Sequence, residues 1–126
     1  MMDALEIAVK AADDKKARDL LALDISRIAS FASSFLICSG DSSRQNQAIA
    51  DEIQARLKKS GFRASHVEGY QNAEWILLDY FDLVVHIFSR EARAFYDLER
   101  LWRDGRRLDT DKMIRQAGGT KAGGGR

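Results

Sequence analysis

Residues 68–89 read EGYQNAEWILLDYFDLVVHIFS, and the fold turns on how this stretch pairs with itself. Two apolar runs, 75–80 and 83–88, stand too close together for anything but a tight hairpin. Side chains alternate between faces along each strand. With Tyr80 and Phe81 as the loop, Asp79 faces Asp82, Leu77 faces Val84 and Trp75 faces His86. One face then collects Ile76, Leu78, Leu83, Val85 and Ile87, all aliphatic, as a helix-covered core requires. The other collects Trp75, Leu77, Asp79, Asp82, Val84, His86 and Phe88. A large aromatic, two carboxylates and a histidine together suit a recognition surface. The simpler alternative is a half-solvated sheet face with ordinary surface charges.

Upstream of the hairpin, Ser42 or Ser43 opens a helix reaching about residue 60, with Gln45 placed for a capping box on Ser42. Ile49, Ile53 and Leu57 recur every four residues as its buried stripe. Arg56, Lys58 and Lys59 lie where cations suit the helix dipole, and Gly61 ends the helix. Residues 35–39, FLICS, form a continuous apolar run, which predicts a central strand covered on both sides. Cys38 within it is expected to be an inert core thiol. A strand is expected over 20–25, then a small, polar loop anchored by Ile28 and Phe31. Residues 3–12 predict a helix capped by Asp3 with Glu6 in a capping box, and 63–67 a short strand. After the hairpin, Ser89 caps a last helix over 90–103, with Phe95, Leu98, Leu101 and Trp102 as its apolar stripe. The order is α-β-β-α-β-β-β-α: one α/β domain over 1–105, a mixed five-stranded sheet with flanking helices. Residues 106–126, charged and then glycine-rich, are expected to be a flexible tail. The basic groups at Arg106, Arg107, Lys112, Arg115, Lys121 and Arg126 could touch RNA, although a solvated tail is the plainer reading.

A chain of 126 residues with 45% hydrophobic content fits a single compact domain. A net charge of +1 gives no general pull toward polyanions, and one cysteine excludes an internal disulfide framework. No apolar run approaches a membrane span, and the first residues lack the pattern of a secretory signal. A soluble cytoplasmic protein is expected.

Catalytic chemistry finds little footing. Gly40-Asp41-Ser42-Ser43 between a strand and a helix is a weak phosphate signal, without a G-x-G-x-x-G or P-loop pattern. The strand over 63–67 lacks the paired carboxylates of a nucleotidyltransferase. Asp79 and Asp82 alone do not make a metal site, and neither His66 nor His86 has zinc-spaced partners. No cofactor or metal is expected. The competing catalytic reading is a nucleotide-dependent transferase using Asp41, Ser42 and Asp79.

Several segments together resemble one family. They are Asp14-Lys15-Lys16-Ala17, Asp24, FLICSG over 35–40, Arg44-Gln45, Ala48-Ile49-Ala50-Asp51-Glu52, Glu68-Gly69-Tyr70, Ala73-Glu74-Trp75, Leu77-Leu78-Asp79-Tyr80, Val85-His86 and FYDLERLW over 95–102. The chain resembles the ribosomal silencing factor, or Iojap-like, family over roughly residues 3–104. The resemblance implies a nucleotidyltransferase-like α/β fold without the active site. It also implies a non-enzymatic factor, often a homodimer when free. Such a factor binds large-subunit ribosomal protein fourteen, blocks joining of the small subunit and represses translation when nutrients are scarce. Three positions depart from the family: Phe81 where glycine is frequent in the hairpin turn, Ser33-Ser34 where an Asp-aromatic pair is frequent, and no proline before the last helix.

Steric exclusion needs a few buried aromatic and charged anchors. The partner-binding set is accordingly Trp75, Leu77, Asp79, Tyr80 and His86 from the sheet, with Tyr96, Asp97 and Arg100 from the last helix. Trp75 and Leu77 would supply apolar burial, and Asp79 and Asp97 would meet basic groups. His86 would be a hydrogen-bond partner or a support for Trp75. Replacing Trp75 with Glu is expected to abolish binding with the fold retained.

Overall fold

The structure, a computed structural model, describes residues 3–116. The first helix, α1 (Ala4–Asp14), starts as its sequence dictates. Asp3 Oδ1 accepts from the Glu6 amide at 2.9 Å, and Glu6 Oε1 accepts from the Asp3 amide at 3.0 Å, so both halves of the capping box form. Strands β1 (Arg18–Asp24) and β2 (Ser34–Ser39) pair antiparallel, with a bulge near Asp19, whose φ is 53°. Helix α2 (Ser43–Lys59) is capped by Ser42 Oγ, 3.0 Å from the Gln45 amide. The reciprocal half of the expected box is displaced by one residue. Gln45 Oε1 accepts from Asp41 rather than Ser42, while its Nε2 donates to the carbonyls of Lys15 and Lys16, tying α2 to the turn after α1.

Beyond α2 come β3 (His66–Glu68), β4 (Trp75–Asp79) and β5 (Leu83–Phe88), then α3 (Arg90–Tyr96), α4 (Leu98–Leu101) and β6 (Arg106–Leu108), with a helix over 110–116. The sheet order is β3-β4-β5-β2-β1-β6; β2 and β5 run parallel and the other pairs antiparallel. The sheet has six strands, not five, because the charged segment after residue 105 is not wholly a tail. Arg106–Leu108 pairs with β1, Arg106 reaches Asp24 at 3.3 Å, and Met113 and Ile114 pack on the core. The expected glycine-rich tail over 117–126 lies outside the described residues.

The hairpin forms, with a different register. Trp75 pairs with Phe88, Leu77 with His86 and Asp79 with Val84, and the Tyr80 amide donates to Leu83, so the loop is Phe81-Asp82. Moving the loop by one residue shifts every pairing by two, and a shift of two preserves the faces. Ile76, Leu78, Leu83, Val85 and Ile87 do lie together, under α1 and α2. The opposite face, read from sequence as outward-facing, is instead a second core. Val84, His86 and Phe88 are buried there, in one cluster with Phe35, Ile37 and Leu23. The loop, α3 and α4 cover this face thinly, leaving Trp75 and Leu77 half-buried at its rim.

The last helix is not continuous. Asp97 adopts a left-handed conformation (φ 48°, ψ 49°) and divides it into α3 and α4. The predicted stripe splits with it: Leu98 and Trp102 pack on the second core, whereas Phe95 and Leu101 are 81% and 73% exposed. Without proline or glycine to mark the break, a continuous heptad-like pattern read as one helix.

Candidate docking surface

The rim of the second core is organised by a hydrogen bond between two aromatic side chains. Trp75 Nε1 donates to His86 Nδ1 at 3.1 Å. With Nδ1 accepting, the neutral imidazole carries its proton on Nε2, which has no hydrogen-bond partner among the described residues. Burial lowers the His86 pKa to about 4, so the acceptor form prevails at neutral pH. The indole lies 4.9 Å from the ring of Phe88 and 4.8 Å from that of Tyr96, and Phe35 meets His86 edge-on at 4.7 Å. Trp75 is thus held on one side by the sheet and on the other by the last residue of α3.

The entrance to β4 is fixed from α2. The Asn46 side chain, wholly buried, donates to the Ala73 carbonyl at 2.8 Å, Gln47 donates to the Tyr70 carbonyl at 2.9 Å, and the Tyr70 hydroxyl donates to Asp51 at 2.9 Å. Gly69 has φ +77°, and a Cβ there would collide with the Trp75 carbonyl. The Glu68-Gly69-Tyr70 segment therefore places Trp75.

The expected partner-binding residues do not form one patch. Trp75, Leu77, Tyr96, Asp97 and Arg100 lie along the second-core side; Tyr96 is 53% exposed, and Asp97 and Arg100 are exposed. Tyr96, Asp97, Arg100, Leu101, Arg103 and Asp104 line a shallow cleft of about 490 Å³. The side chains of Asp97 and Arg100 make no hydrogen bond or ion pair among the described residues, so both keep their bonding capacity for a partner. His86 is 4% exposed and accepts the Trp75 hydrogen bond, the supporting role of the two expected for it. Tyr80 belongs to the opposite core, where burial raises its phenol pKa. Asp79 lies at the far end of β4, roughly 13 Å of strand from Trp75, and caps the hairpin by accepting from the Phe81 amide at 3.0 Å. In the sequence, Phe95 and Leu101 had only places on an apolar stripe and Phe31 only an anchoring role. All three are exposed, and Phe31 meets Trp102 edge-on at 5.7 Å. Their signal was an apolar pattern longer than the cover available on that face.

The catalytic alternative divides in space. Asp79 pairs with Val84, whose parallel neighbour is Phe35; Asp41 lies six residues beyond Phe35 along β2 and its exit, roughly 20 Å away. Asp41 is occupied by Arg18 at 3.0 Å and Arg90 at 3.3 Å. Cys38 is buried in the central strand, and desolvation pushes its thiol up to about 12. No helix among the described residues is long and apolar enough to cross a membrane.

Fold and surface define a small mixed-sheet α/β domain with one thinly covered face that exposes Phe31, Phe95, Tyr96 and Leu101. The family model described as "Ribosomal silencing factor during starvation" matches residues 1–123, and the chain belongs to that family. It is 46% identical over 112 residues to the ribosomal silencing factor RsfS of Bacillus subtilis, covering 89% of this chain and 95% of that one. A crystal structure from Bacillus halodurans superposes with a TM-score of 0.75 at 42% identity, over 83% of this chain and 95% of that one. A second, from Chromobacterium violaceum, gives 0.77 at 36% identity, over 86% and 92%. The resemblance read from the sequence motifs is thereby shown. The family's name describes silencing of ribosomes, a regulatory role.

Proposed function

We propose that the chain binds the large ribosomal subunit through its protein fourteen and excludes the small subunit by occupying its docking face, lowering translation when nutrients are scarce. No bond is made or broken, and no cofactor is needed. One observation carries the reading within this family. Tyr96, packed on the half-buried Trp75, lines one cleft with the exposed Asp97 and Arg100, on the sheet face that has the least cover. Tyrosine, tryptophan and arginine concentrate binding energy at protein interfaces, and a free carboxylate suits the basic side chains abundant in ribosomal proteins. Leu77 adds apolar burial at the same rim. Arg106 and Arg107, both exposed, give a peripheral contact with ribosomal RNA. The free protein is a cytoplasmic homodimer. We read the fold as nucleotidyltransferase-like without the active site, and the separation of Asp41 from Asp79 argues against nucleotide transfer.

The test is a subunit-joining assay. Pre-incubating large subunits with the protein should reduce the fraction that joins added small subunits, with half-effect near stoichiometric amounts. Joining at an unchanged rate with saturating protein would refute steric exclusion. Heat on titration with magnesium and nucleotide, and none with large subunits, would instead favour the transferase.

A further inference from the structure

The break at Asp97 is spanned by one side chain. Arg93 Nε and Nη2 donate to Glu99 Oε2 at 3.2 and 3.0 Å, across the break into α4, and Nη1 donates to Ser39 Oγ at 3.1 Å, at the end of β2. Its backbone carbonyl accepts from the Asp97 amide at 3.0 Å, closing the last turn of α3. The Arg93 side chain is 13% exposed and Ser39 is buried. One residue therefore joins α3, α4 and the sheet.

Apolar packing at this corner is light, with Leu98 and Trp102 only partly buried against the second core. Ala92 is the buried residue of α3, and α4 has none. A non-glycine residue in the left-handed region is strained and persists where its surroundings support it. Asp97 has no side-chain cap bond of its own to offset that strain. Arg93 is the side chain that bridges the break from α3 to α4 and to the sheet. On each side of the break the consequences are specific: Tyr96 is set against the Trp75 indole, and the Asp97 carboxylate points outward.

We propose that Arg93 is the positioning residue of the docking surface, its clamp on Glu99 and Ser39 holding the α3–α4 corner in the shape that presents Tyr96 and Asp97. The inference rests on the proposed function for its binding arm alone. A merely structural ion pair would lower the melting temperature without coupling to Tyr96 in binding. A positioning residue acts through Tyr96, so its loss and the loss of Tyr96 overlap.

The experiment compares Arg93→Met, Tyr96→Ala and the double variant, all well below their melting temperatures. Affinity for purified large subunits is read by sedimentation and the local aromatic environment by near-ultraviolet circular dichroism. Arg93→Met should weaken binding at least about tenfold, and the double variant should bind within about twofold of Tyr96→Ala. Arg93→Lys should recover part of the loss, since an ammonium group reaches Glu99 but cannot also hold Ser39. Glu99→Gln, which keeps the fold under milder change, should give a smaller loss in the same direction. Arg93→Met should also reproduce the near-ultraviolet change of Tyr96→Ala. Wild-type affinity in Arg93→Met, or losses that multiply in the double variant, would overturn the inference. If the unaltered protein ignores large subunits, the proposed function fails; the spectra then decide the positioning role separately, and an unchanged Arg93→Met spectrum overturns it.

Discussion

His86 is the residue on which the rim of the second core depends, and its protonation has a definite sign. In the folded chain its pKa falls from 6.5 to about 4 through burial, so between those values the unfolded state binds the extra proton. Its stabilising contribution is full above pH 6.5 and is lost as the pH falls toward 4. The upper bound is about 3 kcal/mol, and protonation places a second donor against the Trp75 N–H. Urea unfolding at a series of pH values should show this slope between pH 6.5 and 4.5, and His86→Leu should flatten it. Below that window, Asp24, which accepts from Ser26 and Arg106 and is held down to about 2, adds a separate acid loss. Phe81 gives the opposite expectation. It sits at φ +69° in the two-residue loop, 69% exposed, with little packing to lose. Phe81→Gly should stabilise the chain by about 1 kcal/mol, read as a higher urea midpoint at an unchanged slope. Both residues stood in the sequence as anomalies, a histidine among apolar neighbours and a phenylalanine in a turn. The burial of His86 was not legible, because period-two alternation assigns a residue to a face without saying what covers that face.

At the scale of elements, what the sequence determined locally was legible and what depended on cover was not. The capping box at Asp3, the Ser42 cap, the central run FLICS and the two hairpin strands are short-range patterns, and all are present. The faces of the hairpin survived an incorrect register because the loop moved by one residue and parity was unchanged. The broken last helix and the sixth strand were hidden for different reasons. Asp97 breaks the helix without a glycine or proline signal, and Arg106–Leu108 is a strand only because β1 offers an edge and Asp24 a charge partner. Within the site, Tyr96, Asp97 and Arg100 could be placed from the last-helix motif, but Tyr80 could not be assigned to the opposite core. The element that positions Trp75 is the Gly69 turn. Gly69→Ala should cost at least about 2 kcal/mol, since the position combines φ +77° with a backbone collision. Thermal unfolding measures it, and a change within 0.5 °C of zero would mean that the turn relaxes freely.

For the whole molecule, the asymmetry of cover is the organising fact. Helices α1 and α2 seal one side of the sheet, while the other is closed by a loop and two short helices that leave Phe31, Phe95, Tyr96 and Leu101 exposed. Trp75→Glu is a less clean probe of that side than its sequence position suggested. The indole is half-buried and bonded to His86, so the variant should lose stability as well as binding. Asp97→Lys is cleaner, because the carboxylate is exposed and makes no side-chain bond among the described residues, and lysine meets the left-handed backbone at a modest further cost. The most direct measurement is therefore sedimentation of the protein with purified large subunits, comparing the unaltered chain with Asp97→Lys at matched folded fraction. The account predicts that the unaltered chain travels with the large subunits and that Asp97→Lys remains near the top of the gradient. An unaltered chain that stays at the top, or an Asp97→Lys variant that travels equally well, would contradict it.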